Sequence, residues 1–313
     1  MKYLLADIGG TNTRCTVTGP DGSPGQTRTF INRDYDSVTV LLREFIDGVG
    51  QDDGPQAGVL AIAAPVSGDH VHMTNIHWDF SLDAIRGDLG LRELRALNDF
   101  EALAWGLPDL KPDDLLQIGG GTAIAGKPKG VIGPGTGLGV ASLVPLNDHW
   151  LAVPGEGGHV TLPATDEREA AAISLLRQEY GHCSAERVIS GPGIGLLHRA
   201  LHGGPDIDAA EVSRLADAND EAASETLEIL FRLLGTVAAN LALTVGAFGG
   251  IYIGGGVVPR HRDRFIASGF RERFEAKGRY GGYLKSIPTH LIVAPQPALI
   301  GLAAYAKQHG PNG

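Results

Sequence analysis

Cysteine is nearly absent from this chain: Cys15 and Cys183 are the only two among 313 residues, far apart and in unlike surroundings. A disulfide framework therefore does not organise the fold, and two free thiols in a reducing compartment are expected. Basic residues are also scarce, with 26 Lys and Arg against 36 Asp and Glu, a formal charge of −10. Binding to a phosphate backbone rests on clustered cations, so a nucleic-acid partner is not expected. No stretch approaches the ~20 apolar residues that span a bilayer. The N-terminus opens directly into a strand-like run instead of a signal peptide. A cytoplasmic protein without a membrane partner is the expectation. Nor does the chain hold a G-x-G-x-x-G dinucleotide fingerprint. Gly121–Lys127 nearly matches a P-loop, but Pro128 stands where Ser or Thr should bind Mg²⁺.

Glycine, in contrast, is abundant at 45 residues, well above the roughly 7 % average. Two turns concentrate it. Asp7-Ile8-Gly9-Gly10-Thr11 follows the apolar run Tyr3–Ala6, and Gly133-Pro134-Gly135-Thr136-Gly137-Leu138-Gly139 follows Val131-Ile132. Each is followed by β-branched and apolar residues, which predicts strand, tight turn, strand. Glycine lets a ligand approach exposed amides, and threonine adds a hydroxyl donor. Two such loops could grip a polyphosphate from both sides, as in a phosphotransferase built as a clamp. A third, Gly254-Gly255-Gly256 behind Ile251-Tyr252-Ile253, reads alone as a plain strand-to-helix turn, but with the other two it suits one nucleotide.

At 313 residues the chain has room for two domains sharing a cleft. The pattern predicts an antiparallel meander over 2–30, a helix from Ser37, and strands at 58–64, 71–75 and 94–97. Helices are expected from Ser81 to Leu89 and over 99–106, making an α/β layer with a mixed sheet. Pro108, Asp109 and Lys111-Pro112 interrupt the periodicity and mark a boundary. Beyond it, helices are expected over 168–180 and 220–245, the latter a core helix. An amphipathic stretch over 264–276, a strand at 290–293 and a final helix over 298–308 follow. A terminal helix of this kind often returns to the N-terminal domain. The domains are therefore drawn as 1–109 plus 299–313, and 110–298.

Several polar residues have two readings each. Asp99, after Asn98 at the end of a strand, is either a helix N-cap or a carboxylate placed to accept a proton from a hydroxyl nucleophile. Glu156-Gly157-Gly158-His159 is either a hairpin with solvated ends or part of a polyol site, since vicinal hydroxyls need closely set donors and acceptors. Glu186 is either half of a surface ion pair or part of that site. Asp7 ends the first strand, where a carboxylate can hold Mg²⁺ through water. His70 with His72, and His198 with His202, could ligate metal by spacing, but surface histidines are the expected reading.

The ordered set Asp7–Thr11, Met73-Thr74-Asn75 before Trp78, Asn98-Asp99-Phe100, Gly135–Gly139, Pro154–His159, Ser184–Arg187 and Gly254–Pro259 resembles the bacterial ATP-dependent glucokinases of the Escherichia coli type. The resemblance runs from about Leu4 to about Gly301. It implies the actin-like ATPase (ribonuclease H-like) fold, an α/β class with two domains and the active site in the cleft between them. It also implies a homodimer and phosphoryl transfer from MgATP to the glucose 6-hydroxyl. In the family pattern Asp99 is the catalytic base, and Asn98, Glu156, His159 and Glu186 hold glucose hydroxyls. Asp7, Gly9, Gly10 and Thr11 form the first phosphate loop and magnesium site, Gly135, Thr136 and Gly137 the second, and Gly254, Gly255 and Gly256 lie near adenosine. The zinc-binding cysteine cluster of the related ROK proteins cannot be built from two cysteines, so no structural zinc is expected. Another hexose such as mannose or fructose, or a catalytically silent sugar sensor, remain as alternatives. Cys15, close to the first loop in sequence, is a candidate for oxidation sensitivity.

Overall fold

The computed structural model describes residues 1–50, 54–73 and 76–310. Thr74 and Asn75, which end the strand expected over 71–75 and belong to the Met73-Thr74-Asn75 motif, lie outside the described residues, as do 311–313. The chain divides into two compact units, one of 1–111, 146–154 and 294 onward, the other of 112–145 and 155–293.

In the first unit, β1 (Tyr3–Ile8) and β2 (Asn12–Val17) form an antiparallel hairpin that β3 (Arg28–Ile31) extends. Helix α1 (Val38–Val49) starts where the Ser37 hydroxyl accepts from the Val40 amide, the cap expected from the sequence. Next come β4 (Ala57–Ile62), the short pair β5 (His70–His72) and β6 (Asp79–Ser81), α2 (Leu82–Asp88), β7 (Glu93–Asn98) and α3 (Asp99–Gly106). Strands β1, β4 and β7 run parallel, giving a mixed sheet in the order β3-β2-β1-β4-β7. Period-two alternation sends Leu4, Ala6 and Ile8 to one face, where they bury against Leu41, Leu42 and Phe45 of α1 and Ile85 of α2. Burying each of the leucine, isoleucine and phenylalanine side chains contributes about 1.5–3 kcal/mol. The terminal helix, Pro297–His309, packs on β1, β4 and α3. Its approach to α3 is set by backbone: a methyl group at Gly301 would strike the Ala102 carbonyl oxygen. Trp105 and Tyr305 meet edge to face at 5.5 Å beside this contact.

In the second unit, β8 (Leu115–Gly119), β9 (Lys129–Pro134), β10 (Leu138–Leu146), β12 (Ile251–Ile253) and β13 (Thr289–Ile292) make a sheet in the order β10-β9-β12-β13-β8, and β11 (His149–Gly155) belongs almost wholly to the first unit. Between β11 and β12 run α4 (Glu167–Tyr180), α5 (Ala185–Val188), α6 (Gly191–His202), α7 (Ala209–Asp217) and α8 (Glu221–Val245). Helix α8 is capped by Asp220 and buries Leu227, Leu230, Phe231 and Leu234 at the centre of the core. Its apolar window, with mean hydropathy 1.5, comes nearer to a membrane span than the sequence reading allowed, but 61 % of it is buried within the fold. The stretch over 264–276 is two short helices separated at Ser268-Gly269, not one, because the Ser268 hydroxyl bonds the Phe265 carbonyl and the chain leaves helical geometry there. A charged network locks α4 to the 270–275 helix: Arg273 bonds Glu169 at 2.7 Å, and both are buried.

Gly301→Ala is expected to destabilise the first unit by about 1–3 kcal/mol, because the obstructing atom is backbone and cannot rotate away. Denaturant titration reads this as a lowered midpoint. An unchanged midpoint would contradict the packing described.

Candidate functional site

The first group of site residues gathers at the ends of parallel strands. Ile8 of β1, Ile62 of β4 and Asn98 of β7 stand in register. Asp7 and Asp99 therefore sit near the carboxyl ends of strands two positions apart, a separation of about 10 Å by ordinary strand spacing. Asn98, not Asp99, caps α3: its Oδ1 accepts from the Phe100 amide at 3.0 Å and the Glu101 amide at 3.4 Å. The N-cap reading of Asp99 is thus corrected. Asp99 is the first helical residue, and its Oδ1 accepts a further bond from the Phe100 amide at 2.9 Å. Burial pushes its carboxyl up to about 6, the Phe100 bond opposing and the charge of Asp7 adding to the rise. A carboxylate near 6 is ionised at neutral pH yet basic enough to take a proton.

Asp7 is itself raised by burial, against the pull of Arg14, its cross-strand neighbour, whose guanidinium lies 3.4 Å away. The turn Gly9-Gly10-Thr11 closes with a Gly9 amide to Asn12 carbonyl bond of 3.0 Å. Behind it lies a residue the sequence reading missed. Asn32 is fully buried, donates from Nδ2 to the Gly9 carbonyl at 2.7 Å and accepts from the Thr13 hydroxyl at 2.8 Å. Its amide also donates to the Thr11 carbonyl at 2.9 Å. Asn32 therefore clamps both ends of the glycine turn. Nothing local to residue 32 signals this, since only the β2–β3 pairing brings it there.

In the second unit, Gly135-Thr136-Gly137 is the three-residue turn between β9 and β10, closed by a Gly135 amide to Gly137 carbonyl bond of 2.8 Å. The Gly135 carbonyl accepts from the amide of Gly191, the first residue of α6, at 2.7 Å. The third glycine loop lies directly against this one. The Gly254 amide donates to the Ile132 carbonyl at 2.9 Å, and side chains at Gly133 or Gly255 would collide with the facing backbone. Gly255 has φ +78°, a left-handed conformation that glycine adopts without strain. The two loops expected to meet one nucleotide are thus neighbours.

The polyol candidates also converge. Glu156 precedes a turn of 3₁₀ helix containing His159, and His159 Nε2 lies 3.8 Å from both Glu156 and Glu186. A two-rung bridge makes the meeting: the Ala185 amide donates to the Val160 carbonyl at 2.8 Å and the Leu162 amide to the Cys183 carbonyl at 3.0 Å. Ser184 then caps α5 through the Arg187 amide, setting Glu186 in its first turn. Glu186 Oε2 accepts from the Leu138 amide at 2.9 Å, so its carboxylate is held by a backbone donor as well as facing His159.

Other candidates fall away. Cys15 is wholly buried, and burial raises its thiol far above the usual range, so a reactive thiolate is not available there. His70 and His72 are exposed beside Asp69 and Asp79. His198 and His202 are not surface residues but share the Thr226 hydroxyl in a half-buried polar cluster.

Residues 4–309 match the glucokinase family. A glucokinase of Aromatoleum aromaticum is 46 % identical over 96 % of this chain and 93 % of its own, and one of Chromobacterium violaceum is 45 % identical over 98 % and 89 %. The chain spans about half the length, 49 %, of the "Bifunctional protein glk" of Burkholderia pseudomallei, to which it is 46 % identical. Among solved structures, a glucokinase from an Antarctic psychrotroph superposes with a TM-score of 0.89 at 34 % identity, covering 98 % of this chain and 99 % of that one. A ROK family glucokinase from Streptomyces griseus, in complex with glucose and AMPPNP, shares the fold at TM-score 0.64 and 19 % identity, over 98 % of this chain and all of that one. The fold is the actin-like ATPase fold of the sugar kinases, and the chain belongs to the glucokinase family.

Proposed function

We propose that this chain transfers the γ-phosphoryl group of MgATP to the 6-hydroxyl of glucose, giving glucose 6-phosphate and ADP, as a cytoplasmic homodimer. The observation that carries the reading is Asp99: a desolvated carboxylate at a strand end, its helix already capped by Asn98, with a pKa of about 6. It takes the hydroxyl proton as the oxygen attacks phosphorus, and Asn98, Glu156, His159 and Glu186 hold the other hydroxyls. The amides of Gly10, Thr11, Thr136 and Gly137, with both threonine hydroxyls, face the phosphates, while the amides of Gly9 and Gly135 close their own turns and bring their backbones close to the nucleotide. Gly254, Gly255 and Gly256 meet the adenosine end. Backbone donors suit an acidic chain, which has few cations to spend on ATP.

Asp7 fits a magnesium site of the sparse kind. Among the described residues no three His, Cys, Asp or Glu side chains form a group that could enclose a metal. Mg²⁺ is commonly held by one or two carboxylates while keeping waters and phosphate oxygens, and when bound it neutralises charge on the transferring phosphoryl group. The retained Asp99 argues against a silent sensor. A hexose panel separates glucose from mannose and fructose as acceptors.

ATP-dependent formation of glucose 6-phosphate, coupled to its dehydrogenase, tests the reading. Asp99→Asn should lower kcat by about 10²–10⁴-fold, the usual worth of a positioned general base. Its stability at neutral pH should be undiminished, because a buried charge has been removed. Turnover within tenfold of the wild type would overturn the assignment. Asn32→Ala should cost about 1–3 kcal/mol of stability by stranding the Gly9 carbonyl and Thr13 hydroxyl. It should also raise KM for ATP more than KM for glucose, and equal rises would contradict its clamp role.

A further inference from the structure

Gly137 was assigned above to phosphate binding, but its surroundings give it a second task. A methyl group built there would meet the Glu186 carboxylate, Oε2 first and Cδ at 3.2 Å, and the next neighbour is the Glu186 Cγ at 3.9 Å. None of these three nearest atoms is backbone. The space where a side chain would stand is therefore taken by Glu186. The same Oε2 accepts from the amide of the following residue, Leu138, at 2.9 Å. Oε1 lies on the other side, 3.8 Å from His159 Nε2. At Gly135, two residues earlier in the turn, a methyl group would find only the Gly256 amide nitrogen, at 4.0 Å.

We propose that Gly137 is a positioning residue for the sugar site: its missing side chain and the Leu138 amide together seat the Glu186 carboxylate. The turn between β9 and β10 thus serves both substrates, offering Gly135 and Thr136 to the nucleotide while orienting a sugar-binding acid from its far end. This rests on the reading of Glu186 as a glucose ligand. Because the obstructed group is the end of a flexible side chain, a methyl group at 137 displaces Glu186 and leaves the fold intact. The Leu138 amide then loses its charged acceptor.

The test is steady-state kinetics of Gly137→Ala with glucose and ATP varied separately. KM for glucose is expected to rise about tenfold or more, the worth of one charge-assisted contact, and by a clearly larger factor than KM for ATP. Gly135→Ala should show the opposite split, raising KM for ATP first. Shortening the displaced acid restores room, so Gly137→Ala/Glu186→Asp should bind glucose better than Gly137→Ala, a coupling that a merely structural role would not produce. A Gly137→Ala enzyme whose ATP KM rises while its glucose KM stays put would overturn the proposal. So would a double variant no better than the sum of its parts. Wild-type enzyme that phosphorylates no sugar would instead remove the functional reading itself, and that outcome is seen before any variant is compared.

Discussion

Half-burying a carboxylate so that its pKa rises while it stays ionised at neutral pH is the constraint on which the account turns. Asp99 meets it because the bonds that a helix start would ordinarily draw from it are shared with Asn98. Burial raises the carboxyl to about 6, near enough to neutrality that in the proposed reaction the group is charged beforehand and holds a proton well during it. The parallel order β1-β4-β7 puts Asp7 and Asp99 at one end of the sheet, and their mutual repulsion adds to the same shift. In the proposed reaction a base and a magnesium ligand thus arise from one architectural feature.

Phosphate recognition by a chain with a charge of −10 follows a related logic. Without clustered cations the proposed phosphate site relies on amides, and amides are most easily reached where side chains are missing. Each glycine turn is accordingly braced from behind by ordinary secondary structure: the first by Asn32, the second by the start of α6, the third by the second. Asn32 and Gly191 touch no substrate in the proposed reaction. They keep a turn of little intrinsic stiffness in one conformation, so that its amides are already oriented when charge develops on the phosphoryl group.

Much of this was legible in the sequence because turn chemistry is local. Glycine and threonine after an apolar run announce strand, turn and strand without knowledge of the partner strands. Ser37, Ser81 and Asp220 announce helix starts in the same way. What was not legible depends on residues distant in the chain. Asn32 acquires meaning only through pairing of β2 with β3. Strand β11, with its exposed Leu151 and Val153 and its Pro154, carries no clean alternation to mark it. The cap of α3 was ambiguous because Asn98 and Asp99 are both good caps, and tertiary structure chose the first. Glu186 looked like half of a surface ion pair until the bridge through Thr161 and Ser184 brought it beside His159.

The central claim is that Asp99, and not another group, accepts the proton of the attacking hydroxyl. The most direct measurement is kcat/KM for glucose against pH at saturating MgATP. Only the ionised carboxylate can act, so activity should be full well above pH 6 and fall about tenfold per pH unit once the pH drops below the apparent pKa, which should lie close to the value of about 6 set by burial. A profile flat from pH 8 to pH 5, in an enzyme that stays folded throughout, would contradict it.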